Sequence, residues 1–224
     1  MNDLTLSPLN KVDTTLIRHS TQSPSVENLA DIYRDDINIS IWQRSLTPEV
    51  LKAAEYVLSL KHGFKFSGTV TPKSAYDSLN RALGEGSEAQ LISTDATEIV
   101  DMFCCLFDLK QVGLRLATLD KAMCPKFHVD RVPCRLVTTY SGIATQWLSH
   151  KVVNREKLGI GSHGKTDEKS ELYCNHNDIQ QLNSGDVALL KGESWVGNEG
   201  AGLVHRSPNV GKANKRLLLT LDFA

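Results

Sequence analysis

A histidine and an aspartate stand two positions apart within CPKFHVDRVPCRL, in a 224-residue chain with seven histidines. The pair is His128-Val-Asp130. On a β-strand, side chains at i and i+2 project to the same face. An imidazole and a carboxylate aimed together are two-thirds of the 2-His-1-carboxylate triad of non-haem Fe(II) sites. They could equally be a hydrogen-bonded polar pair at a strand rim. A triad needs a second histidine. His19 and His62 lie in the leading segment and at a helix end, and His150, His163 and His176 lie at or within a polar insertion. His205 is placed differently, in GAGLVHRSP between two strand-like runs, where its strand could neighbour that of His128. Eleven residues later Arg216 opens the last such run. A guanidinium forks onto a carboxylate with two parallel hydrogen bonds. Arg216 therefore suits the distal carboxylate of a keto-acid cosubstrate, or else a surface carboxylate of the chain itself.

Further residues offer weaker chemistry. Thr138 and Tyr140 alternate on the strand after the His-x-Asp pair and could hydrogen-bond a cosubstrate carboxylate, or simply pack in the core or at the rim. Arg131 and Arg206 each follow a candidate ligand and should point away from the metal on regular strands. Trp147 and Trp195 could wall an apolar pocket or fill the core. Cys174 and His176 could begin a zinc site, although structural zinc takes four ligands.

These residues need a scaffold. Thr47 with Pro48 and Thr71 with Pro72 read as helix N-caps followed by proline at the first helical position, with Gly63 and Gly84 as stops. A third helix is expected from an Asp95 cap to Gly113, its apolar residues Ile99, Met102, Phe103, Leu106 and Leu109 recurring at helical spacing. INISIW at Ile37–Trp42 alternates as a strand. From Gly113 onward the runs GLRLATLD, RLVTTY, TQWL, DVALLKG and RLLLTLDFA are short, β-prone and separated by turn residues, the pattern of an antiparallel sandwich or barrel. The expected fold is α+β, with N-terminal helices packed on a C-terminal β-rich half. The expected layout is a lead-in over 1–36 and one domain over 37–224, helical over about 45–112 and β-rich over about 113–224. A polar insertion at 152–177 reads as a surface loop or a lid over a substrate.

The formal net charge of −1 leaves no electrostatic footprint for nucleic acid. No apolar run approaches the ~20 residues that span a bilayer, and the first residues show no basic segment followed by an apolar one. Five cysteines without a CxxC pair fit free thiols in the reducing cytoplasm. The substrate, small molecule or protein, and the oligomeric state are not readable.

CPKFHVDRVPCRLVTTYSGIATQWL, followed by GDVALLKGE and GLVHRSP…RLLLTLDF, resembles the DUF1826 family of bacterial proteins, and INISIWQRSL fits the family's start. The order His-x-Asp…His…Arg resembles in turn the double-stranded β-helix (jelly-roll, cupin-like) Fe(II)/2-oxoglutarate dioxygenases. That resemblance implies His128, Asp130 and His205 as iron ligands, Arg216 as the 2-oxoglutarate anchor, and GDVALLKG as the strand and turn that precede the distal histidine. The DUF1826 resemblance also implies a link to bacterial zinc homeostasis. It keeps open an alternative, a Zn(II)-binding cupin-like protein without oxygenase activity.

Overall fold

The computed structural model describes residues 16–60, 62–211 and 214–224; the first fifteen residues of the expected lead-in lie outside the described residues. The strands are β1 (His19–Ser23), β2 (Ile37–Trp42), β3 (Lys65–Val70), β4 (Val112–Leu119), β5 (Cys134–Ser141), β6 (Gln146–Leu148), β7 (Ile179–Gln181), β8 (Val187–Lys191), β9 (Val204–Arg206) and β10 (Arg216–Phe223). Three α-helices, α1 (Pro48–Ser59), α2 (Pro72–Leu83) and α3 (Ser87–Phe107), precede β4.

Local chemistry sets the first two helices. The Thr47 side chain accepts from the Val50 amide. Thr71 and Ser74 form a reciprocal capping box, and Gly84 closes α2 in the left-handed conformation at φ 98°. Other expected boundaries move. Leu60 rather than Gly63 ends α1. The third helix begins at Ser87, eight residues before Asp95, and ends on Asp108 at φ 50°, while Gly113 lies in β4. The reason for the early start is visible at Asp95. Its carboxylate caps nothing; inside the helix it takes a two-pronged ion pair from Arg44, at 2.7 and 3.0 Å, and a 2.6 Å hydrogen bond from the Tyr140 hydroxyl.

Seven strands form one sheet in the order β1-β2-β8-β5-β10-β4-β3, and three form a smaller one, β7-β6-β9. Among the described strands only β1 and β2 pair in parallel. Two expectations are corrected here. Residues 19–33 are no lead-in: β1 extends the large sheet, and a 3-10 helix at Val26–Tyr33 buries Leu29 and Ile32 in the main core. A strand, β3, interrupts the helical part and pairs with β4.

The helices cover one face of the large sheet, and the smaller sheet covers the other over β2, β8 and β5. Leu136 and Tyr140 of β5 and Leu217, Leu219 and Leu221 of β10 pack with Ala54, Val57, Leu79, Ile92 and Phe103 of the helices. Toward the smaller sheet, Ile39, Ile41, Val137, Ala188 and Leu190 pack with Trp147, Leu182 and Leu203. Trp147 is thus core, and Trp195 stacks with Tyr33 and Phe107 on the helix side. No helix among the described residues is long and apolar enough to cross a membrane.

Breaking a buried ion pair by removing one partner costs about 3 kcal/mol or more. Asp95→Ala, which strands Arg44 and Tyr140, is expected to lower unfolding stability by about 3 kcal/mol in urea titrations. A loss under about 1 kcal/mol would show the network to be dispensable.

Candidate metal centre

His128 and His205 meet through the backbone. Their amides and carbonyls exchange two 3.0 Å hydrogen bonds as a single antiparallel bridge, which sets the rings 4.6 Å apart, centroid to centroid. His205 belongs to β9, whereas the segment carrying His128 makes only this bridge and no longer strand. Asp130 completes the group, with Oδ2 3.4 Å from His205 Nε2 and Oδ1 3.8 Å from His128 Nε2. One ligand atom from each of the three residues lies within 4.8 Å of the others.

Ligand atoms around a first-row metal stand about 3 to 3.5 Å apart, so this donor set needs little adjustment to hold one. The tautomers fit as well. His128 Nδ1 lies 3.0 Å from the Lys126 carbonyl and His205 Nδ1 3.2 Å from that of Leu203. A carbonyl only accepts, so the proton sits on Nδ1 and both Nε2 atoms face Asp130.

Burial pushes the Asp130 carboxyl up, but with the rings protonated the His205 hydrogen bond and the charges of His205, Arg135 and His128 outweigh it and hold the group at about 2. Burial and the neighbouring His205 push the His128 ring down, toward the neutral form that a metal ligand requires.

Arg135 received no role from the sequence, yet it fixes the aspartate. It donates to Asp130 Oδ2 at 2.9 Å and forks onto Asp222 at 2.7 and 3.0 Å. Gly192 does the same through the backbone: a Cβ there would strike the Val132 carbonyl and stand 2.8 Å from that of Asp130. The absence of a side chain lets residues 130–133 lie against the end of β8, where Glu193 donates to the Asp130 carbonyl at 2.9 Å.

Arg216 lies in the same cleft as both histidines, Arg135, Val137, Thr145 and Ser207. The cleft has a volume of 50 Å³, room for about four waters at 10–15 Å³ each. The guanidinium is buried at 1% exposure. It donates to the Ser207 hydroxyl at 2.8 Å and, at 3.4 Å, to the Ile143 carbonyl. Its Nε has no partner, and no carboxylate of the described residues pairs with it. Burial alone pushes it down to about 10. At Gly142 (φ 94°) a Cβ would stand 2.7 Å from the Arg216 Cβ, so glycine is what admits the arginine here.

Thr138 and Tyr140 are not brought to this cleft. Strand alternation turns Arg135 and Val137 toward it, and with them goes the opposite phase: Thr138 and Tyr140 face the helices, Tyr140 bound to Asp95. Arg206 borders the cleft, but its guanidinium points away from it as expected, donating to Gln146 and Asp167 and lying over Phe127 on the outer side of the smaller sheet. Arg131 is exposed. Cys174 and His176 are exposed too, and join no further ligand cluster among the described residues.

The 152–177 insertion contributes no residue to the cleft. Leu172 and Tyr173 pack with Phe127, Leu148 and Val204 on the outer side of the smaller sheet. Asp167 accepts from the Phe127 amide at 2.9 Å. The expected lid is a buttress behind His128.

A sequence-family profile described as "Protein of unknown function (DUF1826)" matches residues 23–222. No curated protein matches. Among solved structures, the rice dioxygenase for auxin oxidation aligns at TM-score 0.52 and 11% identity, over 92% of this chain and 82% of that one. A full-length Neurospora crassa protein in complex with alpha-KG aligns at TM-score 0.52 and 10% identity, over 94% of this chain and 86% of that one. At these identities the likeness shows a shared fold.

Groups that orient metal ligands typically contribute 10–100-fold to metal affinity. Arg135→Leu should weaken binding of a divalent metal in that range without removing a ligand, read by competition with a chromogenic chelator. Unchanged affinity would mean that Asp130 is positioned without Arg135.

Proposed function

The chain belongs to the DUF1826 family, and we propose that it is a non-haem Fe(II)- and 2-oxoglutarate-dependent oxygenase. The observation that carries this reading is Arg216, a buried guanidinium with an orphaned Nε, in one cleft with two histidines beside a carboxylate. A buried charge is costly unless paired. An arginine kept here without a carboxylate fits a diacid cosubstrate as its counter-ion. The match in fold to a dioxygenase and to a protein solved with alpha-KG supports the same reading.

His128, Asp130 and His205 would hold the metal, leaving one side of it open. Iron together with 2-oxoglutarate would supply the oxidising power for breaking a substrate C–H bond with O2. The remaining work belongs to the chain. Arg216 forks onto the distal carboxylate, and the Ser207 hydroxyl beside it can donate to the same group. Arg135 keeps Asp130 ionised and oriented. Val137 and Leu218 line the cleft with apolar surface, which strengthens the charge pairing. Five free thiols suit a reducing compartment, and we place the protein in the cytoplasm.

The test is conversion of 2-oxoglutarate to succinate by the Fe(II)-loaded protein in the absence of a second substrate. Asp130→Ala should abolish it. Arg216→Gln should raise the KM for 2-oxoglutarate about 10–100-fold, the loss of a charge-assisted pair. It should keep or raise stability, since it removes an uncompensated buried charge. Tight zinc retention with no succinate, and no visible charge-transfer band on anaerobic addition of Fe(II) and 2-oxoglutarate, would favour a Zn(II) cupin-like protein instead.

A further inference from the structure

The apolar core between the two sheets draws on β2, β8 and β5 but on no residue of β4 or β3. There the inner face of the large sheet is open and forms a cavity of 410 Å³. Register pairs Ser67 with Arg115 and Arg115 with Thr220 in one row across β3, β4 and β10. Thr220 alternates with Leu218 and Arg216 along β10, so this row shares its face with the candidate metal centre. The two spaces adjoin, since Met123, Arg135 and Thr220 line both.

Charge in the cavity is unbalanced. Two guanidiniums and one carboxylate line it. Asp222 is engaged by Arg135 through both of its oxygens, and the third Arg135 nitrogen, Nη1, donates to Asp130. The Arg115 side chain makes no hydrogen bond or ion pair with any described residue, and its Nε is buried without a partner. A buried donor left without a partner is destabilising. Around it stand the hydroxyl-bearing residues Ser67, Thr69 and Thr220, each able to donate to an oxyanion.

We propose that this cavity is the substrate subsite and that Arg115 anchors an oxyanion of the substrate, a carboxylate or phosphate. The substrate is therefore a small acid whose charged end lies on β3–β4 and whose reacting end points past Arg135 to Asp130. Its role as a substrate subsite rests on the oxygenase reading; the anion site itself does not.

The experiment is calorimetric titration of the full chain with benzoate, phenyl phosphate and uncharged benzamide. At least one of the two anions should bind and benzamide should not; the tighter anion tells carboxylate from phosphate. Arg115→Gln should weaken that anion at least tenfold, Arg115→Lys should retain most of the binding, and Arg131→Gln, at an exposed arginine that lines neither space, should leave it unchanged. The lysine variant guards against a folding defect, as does the circular dichroism of each protein. Equal binding by Arg115→Gln, loss of binding in Arg216→Gln alone, or no binding of either anion up to about 10 mM overturns the proposal. Anion binding at Arg115 without succinate formation from 2-oxoglutarate would defeat the oxygenase reading and leave the anion site standing.

Discussion

Burial of the central strands of the seven-stranded sheet on both faces is the constraint from which the site follows. Successive side chains of a strand must serve two unlike environments. In β10, Leu217, Leu219 and Leu221 go to the helices, and Arg216, Leu218 and Thr220 go to the cleft. In β5, Leu136 and Tyr140 go one way while Arg135 and Val137 go the other. Once the leucines of β10 are committed to the helix layer, Arg216 has no route to solvent along its strand. A one-residue slip would exchange the faces and place guanidinium groups among the helices.

The charges inside are arranged with unequal satisfaction. Arg135 bridges Asp130 and Asp222 and is fully engaged, a pairing that offsets the desolvation of all three groups. Arg216 and Arg115 are left with buried, unpaired Nε atoms. Buried polar groups are nearly always satisfied, so the two orphaned guanidinium nitrogens on one sheet face are the observation on which both proposed anion sites rest. Arg44 contrasts with both, since it is paired with Asp95 in the helix layer.

Rigidity at the candidate metal centre comes from outside the cleft. The His128 segment has one backbone bridge of its own. It is held by Asp167 from the insertion, by the Phe127–Tyr173 contact at 5.8 Å, and by the approach of residues 130–133 to Gly192. Ligand residues on a short, irregular segment gain their precision from such supports. The 152–177 insertion, polar in sequence, is therefore tied to positioning.

How much of this was legible in the sequence depends on how local each cause is. Caps at Thr47 and Thr71 depend on neighbours three residues away and were readable, as was RLLLTLDF as a strand, although Leu218 interrupts the alternation of its polar face. The spacing of His128 and Asp130 and the placement of His205 and Arg216 were readable as a candidate set, but their convergence needed the tertiary bridge between residues 128 and 205. The strand CRLVTTYS gave no phase, because apolar and hydroxyl-bearing residues fall on both of its buried faces; hence Thr138 and Tyr140 were expected in the cleft and Arg135 was missed. Asp95 looked like a cap because its partners, Arg44 and Tyr140, are 51 and 45 residues away. Near neighbours along the chain determine caps, periods and spacings; which face a doubly buried strand turns to the site, and which charges lack a partner there, is decided only when distant strands are brought side by side.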